Sequence, residues 1–318
     1  MEVTYKINRK DPENGGESGY ATYQVDLPED ATVLDGLQKI RDEQDDSLAF
    51  RASCCQGTCG ECAVRINYKA QFTCTTRIGD VTKKAPEVQL DPVRNISVIK
   101  DLVFDMDAFT WDKMAAVKPW MEPDEEFAPT ENIVSEKDMA DVRKTMSCYQ
   151  CGLCDEGCAV LPVNFDFLGP GAMVKSYRFV MDPRESGAQM DARMKVVEQP
   201  QGLWDCVHCY EADGKCPRGL TPSTKIMEIR DVSFKEGIKN EKVGRHHASF
   251  INSVKQTGWL DERKLVMETE GLTNVAGLMK LLPTAVRAMR RGKMPGRHEK
   301  RPGADQIKRI IEKAEESK

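Results

Sequence analysis

No uninterrupted apolar run in these 318 residues approaches the ~18–20 needed to cross a membrane, because even the stretch 276–289 is broken by Lys280, Pro283 and Arg287. A transmembrane helix is therefore not expected. The opening residues, Met1-Glu-Val-Thr-Tyr-Lys6, do not read as a secretory leader, so a cytoplasmic location is expected. Positive charge is not in excess: 46 Lys and Arg stand against 51 Asp and Glu, a formal net charge of −5, which argues against a nucleic-acid binder. Histidine is scarce at four, none convincingly paired with a nucleophile, so no constellation for covalent or acid–base catalysis is visible. Substrate chemistry is expected on another subunit.

What the chain does have is cysteine. Its twelve cysteines fall mostly in tight groups. Structural disulfides seldom persist in a reducing compartment, so such groups point to metal rather than to bridges. Hydrophobic content of 40% and charged content of 31% suit a soluble globular protein, and 318 residues leave room for two domains and an appendage.

The first hundred residues read as a small β-rich domain. Val3, Tyr5 and Ile7 alternate, as do Tyr23, Val25 and Leu27, with Asn14-Gly15-Gly16 as a turn between them, which is a hairpin signal. Thr32 is placed to cap a helix whose apolar positions Val33, Leu34, Leu37 and Ile40 recur at helical spacing. Together these suggest a half-open sheet wrapped over one helix. Cys54, Cys59, Cys62 and Cys74 then give C-x4-C-x2-C and a distant fourth, the plant-type [2Fe-2S] spacing. Gly57 and Gly60 supply the permissive torsions a loop needs to curl round an anionic cluster with its N–H groups turned inward. Cys55 is surplus and reads as an idle thiol, and a zinc knuckle is the poorer account of the group as a whole.

After Val98–Met106 the Pro-rich, charged stretch Lys118-Pro-Trp-Met-Glu-Pro123 reads as a connecting loop. A helix is expected from Ser135, which begins an approximate capping box with Asp138, into Cys148, and another after Gly169-Pro170-Gly171, burying Met173, Val174, Tyr177 and Val180 until Met181-Asp-Pro183 stops it. Between and beyond these lie Cys148-x2-Cys151-x2-Cys154-x3-Cys158, Cys206-x2-Cys209 and Cys216-Pro217, the run that wraps cubane clusters. In two-cluster ferredoxins the fourth cysteine of each run serves the other cluster. Cys148, Cys151, Cys154 and Cys216 are therefore expected to hold one [4Fe-4S] cluster. Cys158, Cys206 and Cys209 are left for a third cluster, and Ala212 stands where a complete run would have a cysteine. That cluster is either [3Fe-4S] or a [4Fe-4S] with a non-cysteine ligand, for which Asp213, Glu211 and His208 are the candidates.

The fold class so implied is α+β. A plant-type ferredoxin (β-grasp) domain is expected over 1–105, a linker over 106–134, an α-helical ferredoxin domain with two cubane-type clusters over 135–240, and a helical C-terminal extension over 241–318. The cysteine groups, together with Ser47-Leu-Ala-Phe50-Arg51-Ala-Ser53, Val98-Ile-Lys-Asp101, Phe167-Leu-Gly-Pro170, Tyr177-Arg-Phe179 and Cys216-Pro-Arg-Gly-Leu220, resemble the iron-sulfur subunit of succinate dehydrogenase and fumarate reductase. The resemblance implies electron transfer between a flavoprotein subunit carrying FAD and a membrane-anchoring, quinone-reactive subunit, with the chain peripheral on the cytoplasmic membrane.

The chain departs from that family in its usual quinone pocket, where a Pro, a Trp and a His are replaced by Ala159, Val163 and Val207. It also carries Cys209 and Ala212 where members usually have a small or apolar residue and a cysteine. The tail, through Gln256-Thr-Gly-Trp-Leu-Asp-Glu262 and Leu281-Leu-Pro283, resembles the small iron-sulfur subunit of heterodisulfide reductases. This implies a heterodisulfide-reductase-like anchor of the methylmenaquinol:fumarate reductase type, or alternatively a thiol/disulfide oxidoreductase complex. Residues 276–301 hold eight Lys and Arg against one acidic residue, Glu299, so this segment is suited to an anionic membrane surface or an acidic partner, or equally to a solvated helix face.

Overall fold

The computed structural model describes residues 1–12, 16–122, 131, 133–185, 187–236, 241–296 and 299–316. The expected turn residues Asn14 and Gly15, Pro123 at the end of the connecting loop, and Arg297 lie outside them. The described residues form two compact units, Met1–Val232 and Ser233–Lys318.

In the first unit, β1 (Glu2–Lys10) and β2 (Ser18–Asp26) pair antiparallel, with Val3 opposite Val25 and Tyr5 opposite Tyr23. The alternation puts Val3, Tyr5, Ile7 and Val25 on the buried face. Helix α1 (Val33–Glu43) lies against that face through Val33, Leu37 and Ile40. Its N-terminus is fixed as expected: Asp35 N–H donates to Thr32 Oγ1 at 3.2 Å while Thr32 N–H donates to the Asp35 carboxylate at 2.8 Å. β3 (Ala63–Ile66) and β4 (Lys69–Phe72) form a second hairpin. Asn67 and Tyr68 adopt positive φ and turn the chain back. After the short helix α2 (Ile78–Val81), β5 (Glu87–Asp91) inserts between the hairpins, parallel to β1 and antiparallel to β3, giving the order β2-β1-β5-β3-β4.

A small ribbon, β6 (Val98–Lys100) with β7 (Val103–Phe104), leads to a wide helical turn at Asp107–Trp111 and α3 (Asp112–Ala116). α4 (Glu136–Met146) starts on Ser135, whose Oγ accepts from Asp138 N–H at 3.1 Å. The one-turn α5 (Leu153–Glu156) follows, then α6 (Gly169–Val180), which buries Met173, Val174, Tyr177 and Val180 as expected. Sequence periodicity did not reveal α7 (Gly187–Val197), because its inward face carries Arg193 beside Met194 and Val197. α8 (Glu211–Lys215) and α9 (Pro222–Glu236) complete this region, the unit boundary falling inside α9.

The second unit consists, among the described residues, of α10 (Glu241–Thr257), α11 (Glu262–Glu270), α12 (Val275–Arg290) and α13 (Ala304–Glu316). α10 packs against α11 and α13. Arg245 ties α10 to the end of α11 by donating to the Thr269 and Glu270 carbonyls at 3.1 and 3.3 Å.

Candidate metal centres

The loop between α1 and β3 is bent by positive φ at Cys55, Gly57 and Gly60. This turns the N–H groups of Gln56, Thr58 and Cys59 onto Cys54 Sγ at 3.5, 3.2 and 3.3 Å, and that of Gly57 onto Cys74 Sγ at 3.2 Å. Those backbone donors hold the Cys54 thiol down at about 6. Burial, with Cys62 alongside, pushes Cys74 up to about 12, the two sulfurs being 3.2 Å apart. The Cys59 side chain also hydrogen-bonds Cys54 and lowers it further. Cys55 is exposed and its thiol donates to Ser53 O at 3.6 Å.

This loop touches the next cysteine group directly. A Cβ on Gly60 would overlap Cys151 Cβ and come within 3.1 Å of its Cα, so only glycine allows the approach. The contact is braced by Asn95, whose Nδ2 donates to the carbonyls of Asp155, Glu156 and Cys158 at 3.0, 3.1 and 3.2 Å. The fully buried Glu156 carboxylate is faced by Arg94 at 3.0, Arg65 at 3.6 and Lys215 at 3.8 Å. Cys62, Cys74, Cys151 and Cys158 share one apolar cluster with Phe72, Phe104, Leu153, Leu161 and Phe167, and Cys206 packs on its edge.

Cys148, Cys151, Cys154 and Cys216 line a single cavity together with Met114, Tyr149, Val174 and Leu220. Sulfurs here again receive backbone N–H groups: Gln150 onto Cys148 and Leu220 onto Cys216, each at 3.4 Å, and Leu153 onto Cys151. Burial pushes the Cys148 and Cys154 thiols up and Cys151 to about 12. A buried thiol at such a value binds iron only by giving up its proton, and the iron charge then takes the place of the missing solvation. Among the described residues no group of three or more His, Cys, Asp or Glu is placed to hold a single metal ion. Thiols spread round a cavity suit a cluster better than one zinc ion with ~2.3 Å bonds.

The second run retraces the first. Gln150 and Gly152 have φ of +56° and +72°, and His208 and Tyr210 have +56° and +58°. α5 and α8 follow at the same place, and so do Cys158 and Cys216. Asp155 accepts the Gly171 N–H at 2.8 Å at the start of α6, while Asp213 accepts the Ser223 N–H at 2.6 Å at the start of α9. In this register the buried Ala212 stands where Cys154 stands. The Cys158 and Cys206 thiols lie within electrostatic reach of each other, as do Cys206 and Cys209, and burial pushes Cys158 and Cys206 up.

Of the side chains considered beside this site, Asp213 is engaged at α9, where Thr224 Oγ1 also donates to it at 3.3 Å, and Glu211 is exposed. His208 lies against the Arg230 guanidinium. Arg230 fixes the loop: it donates to Leu203 O at 2.7 Å and Cys206 O at 2.8 Å and stacks 5.1 Å from the Trp204 ring. Asn95, Glu156 and Arg230 carry no local sequence signal. The paired Asp155 and Asp213 do, once the two cysteine runs are set one above the other.

Two family models match the chain, "2Fe-2S iron-sulfur cluster binding domain" over residues 4–111 and "4Fe-4S dicluster domain" over 144–220. The fumarate reductase iron-sulfur subunit of Mycobacterium tuberculosis is 32% identical over 240 residues, 74% of this chain and 95% of that protein. The 8-methylmenaquinol:fumarate reductase iron-sulfur subunit of Wolinella succinogenes is 29% identical over 299 residues, 92% of this chain and 91% of that one. A chain of the Mycobacterium smegmatis Sdh1 complex in the apo form has a similar fold, with a TM-score of 0.67 at 22% identity, over 76% of this chain and 98% of that one.

Proposed function

This chain belongs to the family of fumarate reductase and succinate dehydrogenase iron-sulfur subunits, and from that premise we propose that its cysteine groups form one relay in series. Cys54, Cys59, Cys62 and Cys74 hold the [2Fe-2S] cluster, two thiolates to each iron. Cys148, Cys151, Cys154 and Cys216 hold the [4Fe-4S] cluster. Cys158, Cys206 and Cys209 hold the third, which is [3Fe-4S]. Iron-sulfur clusters pass electrons singly. The protein's part is to keep the sites adjacent, dry and supplied with N–H donors, and the contact of Gly60 with Cys151 is what brings the first two together.

The observation that carries the third assignment is the repeat of the two runs. It leaves Ala212 at the fourth corner and commits Asp213, one of the two carboxylates that flank it in sequence, to α9, while the other, Glu211, is exposed. The test is Ala212→Cys. It is expected to raise the iron content from about nine to about ten atoms per chain and to convert the third cluster to [4Fe-4S]. An unchanged count would contradict the register.

The partners follow from the family: an FAD-bearing flavoprotein at the [2Fe-2S] end, where succinate and fumarate interconvert, and a membrane anchor at the third-cluster end. That end offers exposed Val163, Phe165, Val207 and Tyr210. Asn164 donates to Asp205 at 2.9 Å and so joins the two loops that carry them. An anchor resembling heterodisulfide reductase is favoured by the Wolinella relative, which matches 92% of the chain against 74% for the Mycobacterium one. No described helix is long and apolar enough to cross a membrane.

A further inference from the structure

α12 is the most apolar helix of the described extension, and like α11 it has no buried residue. At ~100° per residue, Val275, Leu278, Met279, Leu282, Val286 and Met289 fall within one arc of about 100°. Val275 is 70% exposed, Met279 61%, Leu282 50% and Met289 56%. An apolar stripe of this size left open on a helix marks a surface that something covers.

Charge identifies the cover. Residues 271–298 carry Lys280, Arg287, Arg290, Arg291, Lys293 and Arg297 and no Asp or Glu, in a chain whose net charge is −5. Arg290 sits at the border of the stripe, where its long stem lets the cation meet headgroups at the level at which the apolar side chains enter a bilayer, while Lys280, Arg287 and Arg291 lie together on the opposite, polar face, the division of a surface-lying basic amphipathic helix. Sixteen residues make a helix of about 24 Å, short of the ~30 Å hydrocarbon core, so α12 can lie on a membrane and cannot span it.

We propose that α12 is a membrane-surface helix that binds anionic phospholipid, its apolar stripe in the interface and its cations held by the anionic headgroup layer. This goes beyond the electron-transfer reading and does not depend on it. It gives the subunit a contact with the bilayer of its own, in addition to any made through an anchor.

The test is co-sedimentation of the full-length chain with phosphatidylcholine vesicles, with and without phosphatidylglycerol. Binding is expected only to the anionic vesicles and is expected to weaken as salt rises. Both Met279→Glu/Leu282→Glu and Arg287→Gln/Arg290→Gln/Arg291→Gln are expected to lower the partition coefficient at least ~10-fold. Iron content and cluster spectra should be unchanged in both variants, which separates this test from that of the relay. Equal partition onto neutral and anionic vesicles overturns the proposal. So does variant binding equal to that of the unaltered chain, or loss of a protein partner while vesicle binding persists.

Discussion

Replacing Cys216 by alanine is expected to abolish the [4Fe-4S] cluster, lower the iron content from about nine atoms per chain to about five, and cut electron transfer through the assembled complex to background. Cys216 comes from far along the chain to close the cavity that Cys148, Cys151 and Cys154 line, and its sulfur accepts the Leu220 N–H at 3.4 Å. The neighbouring side chains Met114, Tyr149, Val174 and Leu220 offer no thiolate in its place. The [2Fe-2S] signal should survive, because its proposed ligands Cys54, Cys59, Cys62 and Cys74 are untouched and the sheet and α1 that carry their loop keep their own core. The third cluster should survive too, since none of its proposed ligands is touched. Iron analysis and EPR of the reduced variant check the first expectation, and turnover of the complex between succinate and a quinone checks the second. Full iron content in the variant would refute the ligand set.

The second large effect lies away from the clusters, at Arg193. Its guanidinium donates to the Glu185 carboxylate at 2.9 and 2.8 Å and to the carbonyls of Val117, Lys118 and Trp120 at 2.9, 2.6 and 3.0 Å. Both side chains are essentially excluded from water, and Arg193 also stacks on Phe179. Arg193→Met removes all five hydrogen bonds and leaves Glu185 a buried carboxylate with the Glu122 N–H among its few remaining partners. Stranding one member of a buried pair costs about 3–5 kcal/mol. For a unit of this size that is a fall in Tm of roughly 6–20 °C by calorimetry. Arg193→Met/Glu185→Met should recover much of the loss, because the penalty comes chiefly from the unpaired charge. A double variant less stable than the single one would contradict this.

Much of the fold could be read locally. The alternation of Val3, Tyr5 and Ile7, the caps at Thr32 and Ser135, and the cysteine spacings are all short-range patterns, and the structure carries each of them. What could not be read depends on chain segments far apart in sequence. β5 lies beside β1 in parallel, and no local signal announces that. The periodicity of α7 hides it because a charge counts as exposed, whereas Arg193 is buried against Glu185 and against the distant carbonyls of Val117, Lys118 and Trp120.

The site divides along the same line. The cysteines declare themselves, and so does the gap at Ala212. Glycine at position 60 reads from sequence as a loop residue, yet what requires it is Cys151 in another domain. Asp213 was a candidate cluster ligand on sequence grounds, and its place at the start of α9 emerges only when the helix is seen.

The central claim is a relay of three clusters whose last member has three thiolate ligands. Low-temperature EPR of the oxidised, full-length protein tests it most directly. A [3Fe-4S] signal is expected in the oxidised state, with [2Fe-2S] and [4Fe-4S] signals appearing on reduction. An EPR-silent oxidised protein carrying about ten iron atoms would contradict it, because a fourth ligand would then complete the site beside Ala212.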